Sequence, residues 1–159
     1  MEKTWLRYYP ASISPEINPD RYASIVHLFD EMVQAKASAP AFRNLGRTLT
    51  FGELDRLSAQ FASYLQHHTS LRPGDRIAIQ MPNLLQYPIV LLGALRAGLT
   101  VVNTNPLYTP REMQHQFADS GARAVVILAN FASNLQEILG ATQIEHVIVT
   151  QIGDALPQP

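Results

Sequence analysis

From residue 76 to residue 150 the chain alternates short runs rich in valine and isoleucine with longer segments that carry helix start and stop signals. The runs at 76–80, 100–103, 124–128 and 146–150 have the near-continuous apolar character expected of strands buried on both faces of a parallel sheet. The first intervening helix is expected to start between Asn83 and Pro88 and stop at Gly98. The second starts at Thr109-Pro110 and stops at Gly121, and the third runs from about Asn130 to Leu139 ahead of Gly140. Strand–helix alternation with short turns leaves few topologies: right-handed crossovers and helices on both faces of a doubly wound, mainly parallel α/β sheet. No side-chain repeat accompanies the alternation, so a solenoid is not implied.

The front of the chain follows other rules. Residues 1–22 hold Pro10, Pro15 and Pro19 in quick succession and show neither helical nor strand period, which predicts an extended arm. Trp5, Leu6, Tyr8 and Tyr9 give it apolar anchors, for docking on the chain's own surface or on a second subunit. From Ser24, an N-cap, Ile25, Leu28, Phe29, Met32 and Val33 form one face of a helix ending near Lys36. Residues 41–44 and 47–50 read as a small hairpin turned by Leu45-Gly46. Thr50 and Glu53 then make a capping box, and Leu54, Leu57, Phe61 and Leu65 keep an apolar helix face to about His68.

Composition removes several function classes. With 159 residues and a net charge of -1, the chain suits one domain of ordinary size and lacks the field that draws proteins to nucleic acid or anionic lipid. It has no cysteine, hence no disulfide framework, thiolate metal site or thiol nucleophile, and a reducing cytoplasm fits. The first ten residues have no apolar signal-peptide core. Residues 77–95 are uncharged over nearly the ~20 residues needed to cross a bilayer, but Gln80, Pro82, Asn83, Gln86 and Pro88 break that stretch into a strand, a turn and a helix start. Arg96 is the sole charge between Ile77 and Pro110, so this segment is built for burial.

Catalytic signals are lacking. Gly93-Ala94-Leu95-Arg96-Ala97-Gly98 has the glycine spacing of a phosphate loop, but Leu99-Thr100 stands where Lys-Ser/Thr is needed, and Gly98 reads as a helix C-cap. No dinucleotide fingerprint, serine elbow or metal-ligand spacing of His27, His67, His68, His115 and His146 is present. Glu53 and Glu112 have capping roles, and Asp119 lies near a helix end. No catalytic residue and no metal ligand is therefore assigned.

Three segments in fixed order carry a resemblance: Leu49-Thr50-Phe51-Gly52-Glu53-Leu54, Leu95-Arg96-Ala97-Gly98 followed by Val101-Val102-Asn103, and Asn105-Pro106-Leu107-Tyr108-Thr109-Pro110-Arg111-Glu112, with Pro73-Gly74-Asp75-Arg76 between the first two. The set resembles the start of the AMP-forming adenylate-forming enzymes. The arm Trp5-Leu6-Arg7-Tyr8-Tyr9-Pro10, Ile17-Asn18-Pro19-Asp20 and Met81-Pro82-Asn83 bring it closest to the bacterial long-chain fatty acid–CoA ligases. The likeness covers essentially the whole chain.

The resemblance implies a two-step reaction in which ATP and a fatty acid form an acyl-adenylate and CoA then displaces AMP. ATP, Mg²⁺ and CoA are the implied cofactors. It implies residues 1–22 as an arm and 23–159 as the first, incomplete part of the large N-terminal domain. The Pro-Lys-Gly phosphate loop and the later carboxylates and lysine of the family are missing, so the piece alone is expected to be inactive. In relatives the loop after the second motif lies close to the CoA nucleotide, which makes Tyr108 and Thr109 candidate CoA surroundings. A helix N-terminus there suits an anionic phosphate, while the capping box is the favoured reading of Thr109 itself. Implied partners are fatty acid, ATP and CoA, a homodimer through the arm, and peripheral association with the cytoplasmic face of the inner membrane; nucleic acid is not among them. A free-standing, non-catalytic paralogue binding CoA, acyl chains or a full-length ligase is the alternative. A flavodoxin-like receiver fits the alternation but lacks its acidic cluster.

Overall fold

A computed structural model describes residues 3–156. Met1 and Glu2, counted above in the arm, and Pro157, Gln158 and Pro159, counted in the last segment, lie outside the described residues. The first helix, α1 (Ile25–Lys36), starts where the Ser24 side chain accepts from the His27 amide. The hairpin follows as β1 (Pro40–Asn44) and β2 (Arg47–Thr50). Its turn needs two left-handed residues, Leu45 at φ 46° and Gly46 at φ 82°. The glycine was legible as a turn former; the strained leucine was not.

Helix α2 (Phe51–His68) opens with the expected Thr50–Glu53 capping box. Next come β3 (Arg76–Gln80), α3 (Gln86–Arg96), β4 (Thr100–Asn103), α4 (Pro110–Ser120), β5 (Ala122–Leu128), α5 (Ala132–Ile138) and β6 (His146–Thr150). The four later strands form one parallel sheet in the order β4-β3-β5-β6. The chain steps from β3 outward to β4, crosses back past β3 to β5, and continues to β6. Ile77, Ile79, Ala124 and Val126 pack against Leu65, Val90 and Ala94 of α2 and α3 on one face, while Ala78, Val125 and Ile127 pack against Met113, Phe117 and Leu135 on the other. The sheet is thus doubly wound. Residues 77–95 fold as strand, turn and helix, and no helix among the described residues is long and apolar enough to cross a membrane.

Burial on both faces holds for β3 and β5 only. The outer strands have one neighbour each, and Val147 and Val149 of β6 remain 41% and 51% exposed. The buried face of α2 is also rotated from the leucine stripe expected. Leu54, Ser58, Ala62 and Leu65 are buried, whereas Leu57 and Phe61 are half-buried. The cause lies opposite, at Gly93 of α3: a Cβ there would come within 2.8 Å of both the Ser58 carbonyl oxygen and the Phe61 ring. Only small residues let the two helices approach so closely.

Arg96, the lone charge of its region, binds three helices together. It donates to Asp30 of α1 at 2.9 Å and to Asp55 of α2 at 2.5 Å, and its guanidinium lies 5.5 Å from the centre of the Phe29 ring. Gly98, at φ 78°, accepts from the Gly74 amide at 2.8 Å and closes α3 onto the start of β3. The arm departs from expectation. Thr4–Tyr8 forms a 3₁₀ turn, and Trp5, Tyr8 and Tyr9 face solvent, Tyr8 at 88% exposure, instead of docking on the chain's own surface. An open apolar groove bordered by Ile25, Leu28, Met32, Phe42 and Leu91 runs between α1, the hairpin and α3.

Candidate functional site

In a parallel sheet whose strand order reverses, the loops leaving the carboxyl ends of the strands diverge to opposite faces and open a crevice. Here the reversal lies at β3: α3 covers one face of the sheet, and α4 and α5 cover the other. The longest polar connection at that end is the β4–α4 loop, residues 104–109, which contains both residues singled out from the sequence.

The loop is held from three elements. The Thr104 amide donates to the Ile79 carbonyl at 3.0 Å, continuing the β3–β4 ladder by one residue. Asn105 then folds the chain back, its side-chain oxygen accepting from the Leu107 amide at 3.0 Å and its carbonyl from the Tyr108 amide at 3.2 Å. Gln80 at the end of β3 donates to that same carbonyl at 3.3 Å. Gln116 of α4 donates to the Asn103 carbonyl at 3.1 Å, and the Tyr87 hydroxyl of α3 to the Asn103 side-chain oxygen at 2.8 Å. Leu107 stands 78% exposed at the tip. Beside it an open groove of about 580 Å³ runs along α4, lined by Tyr108, Arg111, Glu112, His115, Gln116 and Asp119.

Tyr108 and Thr109 are neighbours with different duties. Tyr108 is half-buried against the cluster of Met113 and Phe117 and borders the groove. The Thr109 hydroxyl accepts from the Glu112 amide at 3.4 Å and donates to the Glu112 carboxylate at 2.8 Å, while that carboxylate also accepts from the Thr109 amide. The last bond is the main reason that the Glu112 carboxyl titrates below its ordinary range. The start of α4 is therefore already occupied by an anion of the chain's own, and two of its donors are spent. That leaves a phosphate at this helix end little to bind. None of Gln80, Gln116, Tyr87 and Asn103 was singled out as a site residue from sequence; the signal available was Gln80, an amide directly after the aliphatic run Ile77-Ala78-Ile79.

At the opposite, amino end of the strands, Ser70, His146, Glu145, Arg123 and Asp75 form a second polar cluster. Its serine, histidine and carboxylate suggest a nucleophile, but the bonding does not. Ser70 Oγ lies 2.9 Å from both the Glu145 carboxylate and His146 Nε2, that same nitrogen also lies 3.1 Å from the Ser70 amide, and the carboxylate bonds the serine directly instead of standing behind the ring as in a relay. Arg123 bonds Glu145 and Asp75, and the Glu145 carboxyl is held low chiefly by that guanidinium. This cluster joins α2 to the sheet.

The implied cofactors can be tested on the residues present. Among the described residues no group of three His, Cys, Asp or Glu side chains is placed to hold a metal ion. The glycines of the 93–98 segment serve helix packing and the Gly98 C-cap, so they form no phosphate cradle.

A family model described as "AMP-binding enzyme" matches residues 29–158. A long-chain-fatty-acid–CoA ligase from Escherichia coli O6:H1 is 54% identical over 156 residues, which are 98% of this chain and 28% of that protein. The chain therefore spans little more than a quarter of the length of this curated relative. Among solved structures, the anthranilate CoA ligase AuaEII in complex with anthranoyl-AMP superimposes with a TM-score of 0.76 at 21% identity, over 81% of this chain and 25% of that one, a likeness of fold. A benzoate CoA ligase from Burkholderia xenovorans does so with a TM-score of 0.73 at 28% identity, over 79% of this chain and 25% of its own.

Proposed function

The chain belongs to the AMP-binding enzyme family, and from that premise we propose that it is the front part of a long-chain fatty acid–CoA ligase. In this reading the whole protein activates a fatty acid with ATP to an acyl-adenylate and passes the acyl group to CoA. The observation that carries it is the 54% identity sustained over 98% of the chain with a ligase of that name. Residues 1–22 act as an arm and residues 23–159 as the first part of the large domain, supplying scaffold and a border of the CoA site, while the phosphate- and metal-holding groups belong to other parts of the protein. In this reading the 159-residue piece alone is inactive, a view supported by the lack, among the described residues, of a three-ligand metal cluster and of a glycine phosphate cradle.

Within this reading Tyr108 and Thr109 border bound CoA. Tyr108 offers a ring and hydroxyl to the groove, and Thr109 acts by fixing the start of α4. The arm mediates a homodimer, a reading supported by the exposure of Trp5, Tyr8, Tyr9, Ile13 and Ile17. The protein works in the cytoplasm, peripherally at the inner membrane where fatty acids partition. Immunoblotting of source-cell lysate tests the premise: a band several times larger than 17.7 kDa is expected. Full-length protein should then form acyl-CoA from palmitate, ATP and CoA, and the isolated piece should not. A native band at 17.7 kDa would overturn the ligase reading in favour of a free-standing binding module.

A further inference from the structure

Two glutamines at the carboxyl end of the sheet share an unusual pattern. The amide nitrogens of Gln80 and Gln116 each donate to a backbone carbonyl of the β4–α4 connection, Asn105 and Asn103 respectively. Their side-chain oxygens are both buried without a hydrogen-bond partner, and they are the only buried side-chain polar atoms in that condition among the described residues. Each amide nitrogen faces a carbonyl oxygen, which can only accept, and so turns its own oxygen away from that bond. Gln80 is fully buried, follows Ile77, Ala78 and Ile79, and pairs in register with Ile127. An apolar side chain would suit that place better, since burying an amide with one end unsatisfied is unfavourable.

The geometry points to Gln80 and Gln116 as positioning residues, a two-amide clamp that fixes the loop carrying Tyr108. Gln80 acts on the hinge of the loop: the Asn105 carbonyl it donates to is the one that accepts from the Tyr108 amide, and the Asn105 side chain holds Leu107. Gln116 holds the entry to the loop from α4, at the Asn103 carbonyl that ends β4, so strand and helix together fix where the loop leaves the sheet. The clamp rests on the reading of this loop as a CoA border only for its functional consequence, not for its mechanics.

Gln80→Met and Gln116→Met in the full-length protein separate the two. A residue that merely fills space would tolerate methionine in all respects. A residue needed for the fold would lose denaturation midpoint. The clamp predicts a third pattern: midpoint kept or raised, amide hydrogen exchange at Leu107 and Tyr108 faster by roughly tenfold, and KM for CoA higher by roughly tenfold while the rate of pyrophosphate exchange stays within about twofold. Gln80→Leu, which also removes the donor, should behave as Gln80→Met does. Unchanged exchange at Leu107 and Tyr108, or a fall in midpoint that explains the faster exchange, would overturn the clamp. Faster exchange with an unmoved KM for CoA would uphold the clamp and instead remove the loop from the CoA site.

Discussion

The two ends of the parallel sheet are built from opposite materials. At the amino ends of the strands, charges meet charges: Arg123 bridges Asp75 and Glu145, and Ser70 and His146 complete the set. At the carboxyl ends, Gln80, Asn103, Asn105, Gln116 and Tyr87 form a network without a formal charge, and two of its acceptors are unfilled. Satisfied polar networks rigidify, and unsatisfied ones mark places where something other than stability has been favoured. One end is where the sheet is fastened, and the other is where it is available.

This contrast predicts that stability and ligand handling separate along the strand axis. The harshest challenge is Gly93→Val in the scaffold common to both ends. With backbone 2.8 Å from the new Cβ, α2 and α3 must part, and a loss of about 3 kcal/mol in urea denaturation is expected. Tyr108→Ala at the available end should raise KM for CoA by roughly tenfold with a small change in stability. Thr50→Ala, far from the loop, should do the reverse, lowering stability by about 1 kcal/mol through the lost cap with KM for CoA unmoved. Should Thr50→Ala shift that KM as far as Tyr108→Ala does, the separation fails.

Two smaller effects sharpen it. Leu45→Asn relieves a left-handed leucine in the hairpin turn and should stabilise by about 0.5–1 kcal/mol. Part of the pH dependence should come from the fastened end, beside the parts from the capping carboxylates Glu53 and Glu112, which their N-cap backbone bonds also hold low. Glu145 ionises more readily folded than unfolded because Arg123, and then Ser70, bond its carboxylate. Its contribution is therefore complete above the ordinary carboxylate range and is lost as pH falls through the depressed folded value. Thermal melts against pH should show the midpoint falling in acid, with a shallower fall in Glu145→Gln and the parental slope in Gln80→Met.

Much of this architecture could be read from residues alone. Ser24, Thr50 and Thr109 announce helix starts through bonds to amides within one turn, and such short-range chemistry survives in the sequence. The helix breaks at Gly98 and Gly121 are equally local. The rotated face of α2 was not legible, because it answers to Gly93 on another helix. Nor was the exposure of the arm, which depends on what its aromatic residues fail to meet. At the candidate site, Tyr108 and Thr109 were singled out through motif likeness alone, and their different bonding is visible only with the bonds of Glu112. Gln80 and Gln116 escaped notice since a single amide has no period, and their pairing exists only once α4 has crossed back over β3.

The bond from the Gly74 amide to Gly98, with the Thr100 amide donating to Asp75 beside it, bears on synthesis. Both link stretches of one β3-α3-β4 unit, so the first parallel pair can close over a short loop as soon as residue 103 has left the ribosome. β3 then waits with its other flank bare until β5 is made. A strand covered on both flanks in the mature sheet is thus half-covered during translation, and a pause placed between the codons for residues 103 and 122 would prolong its exposure.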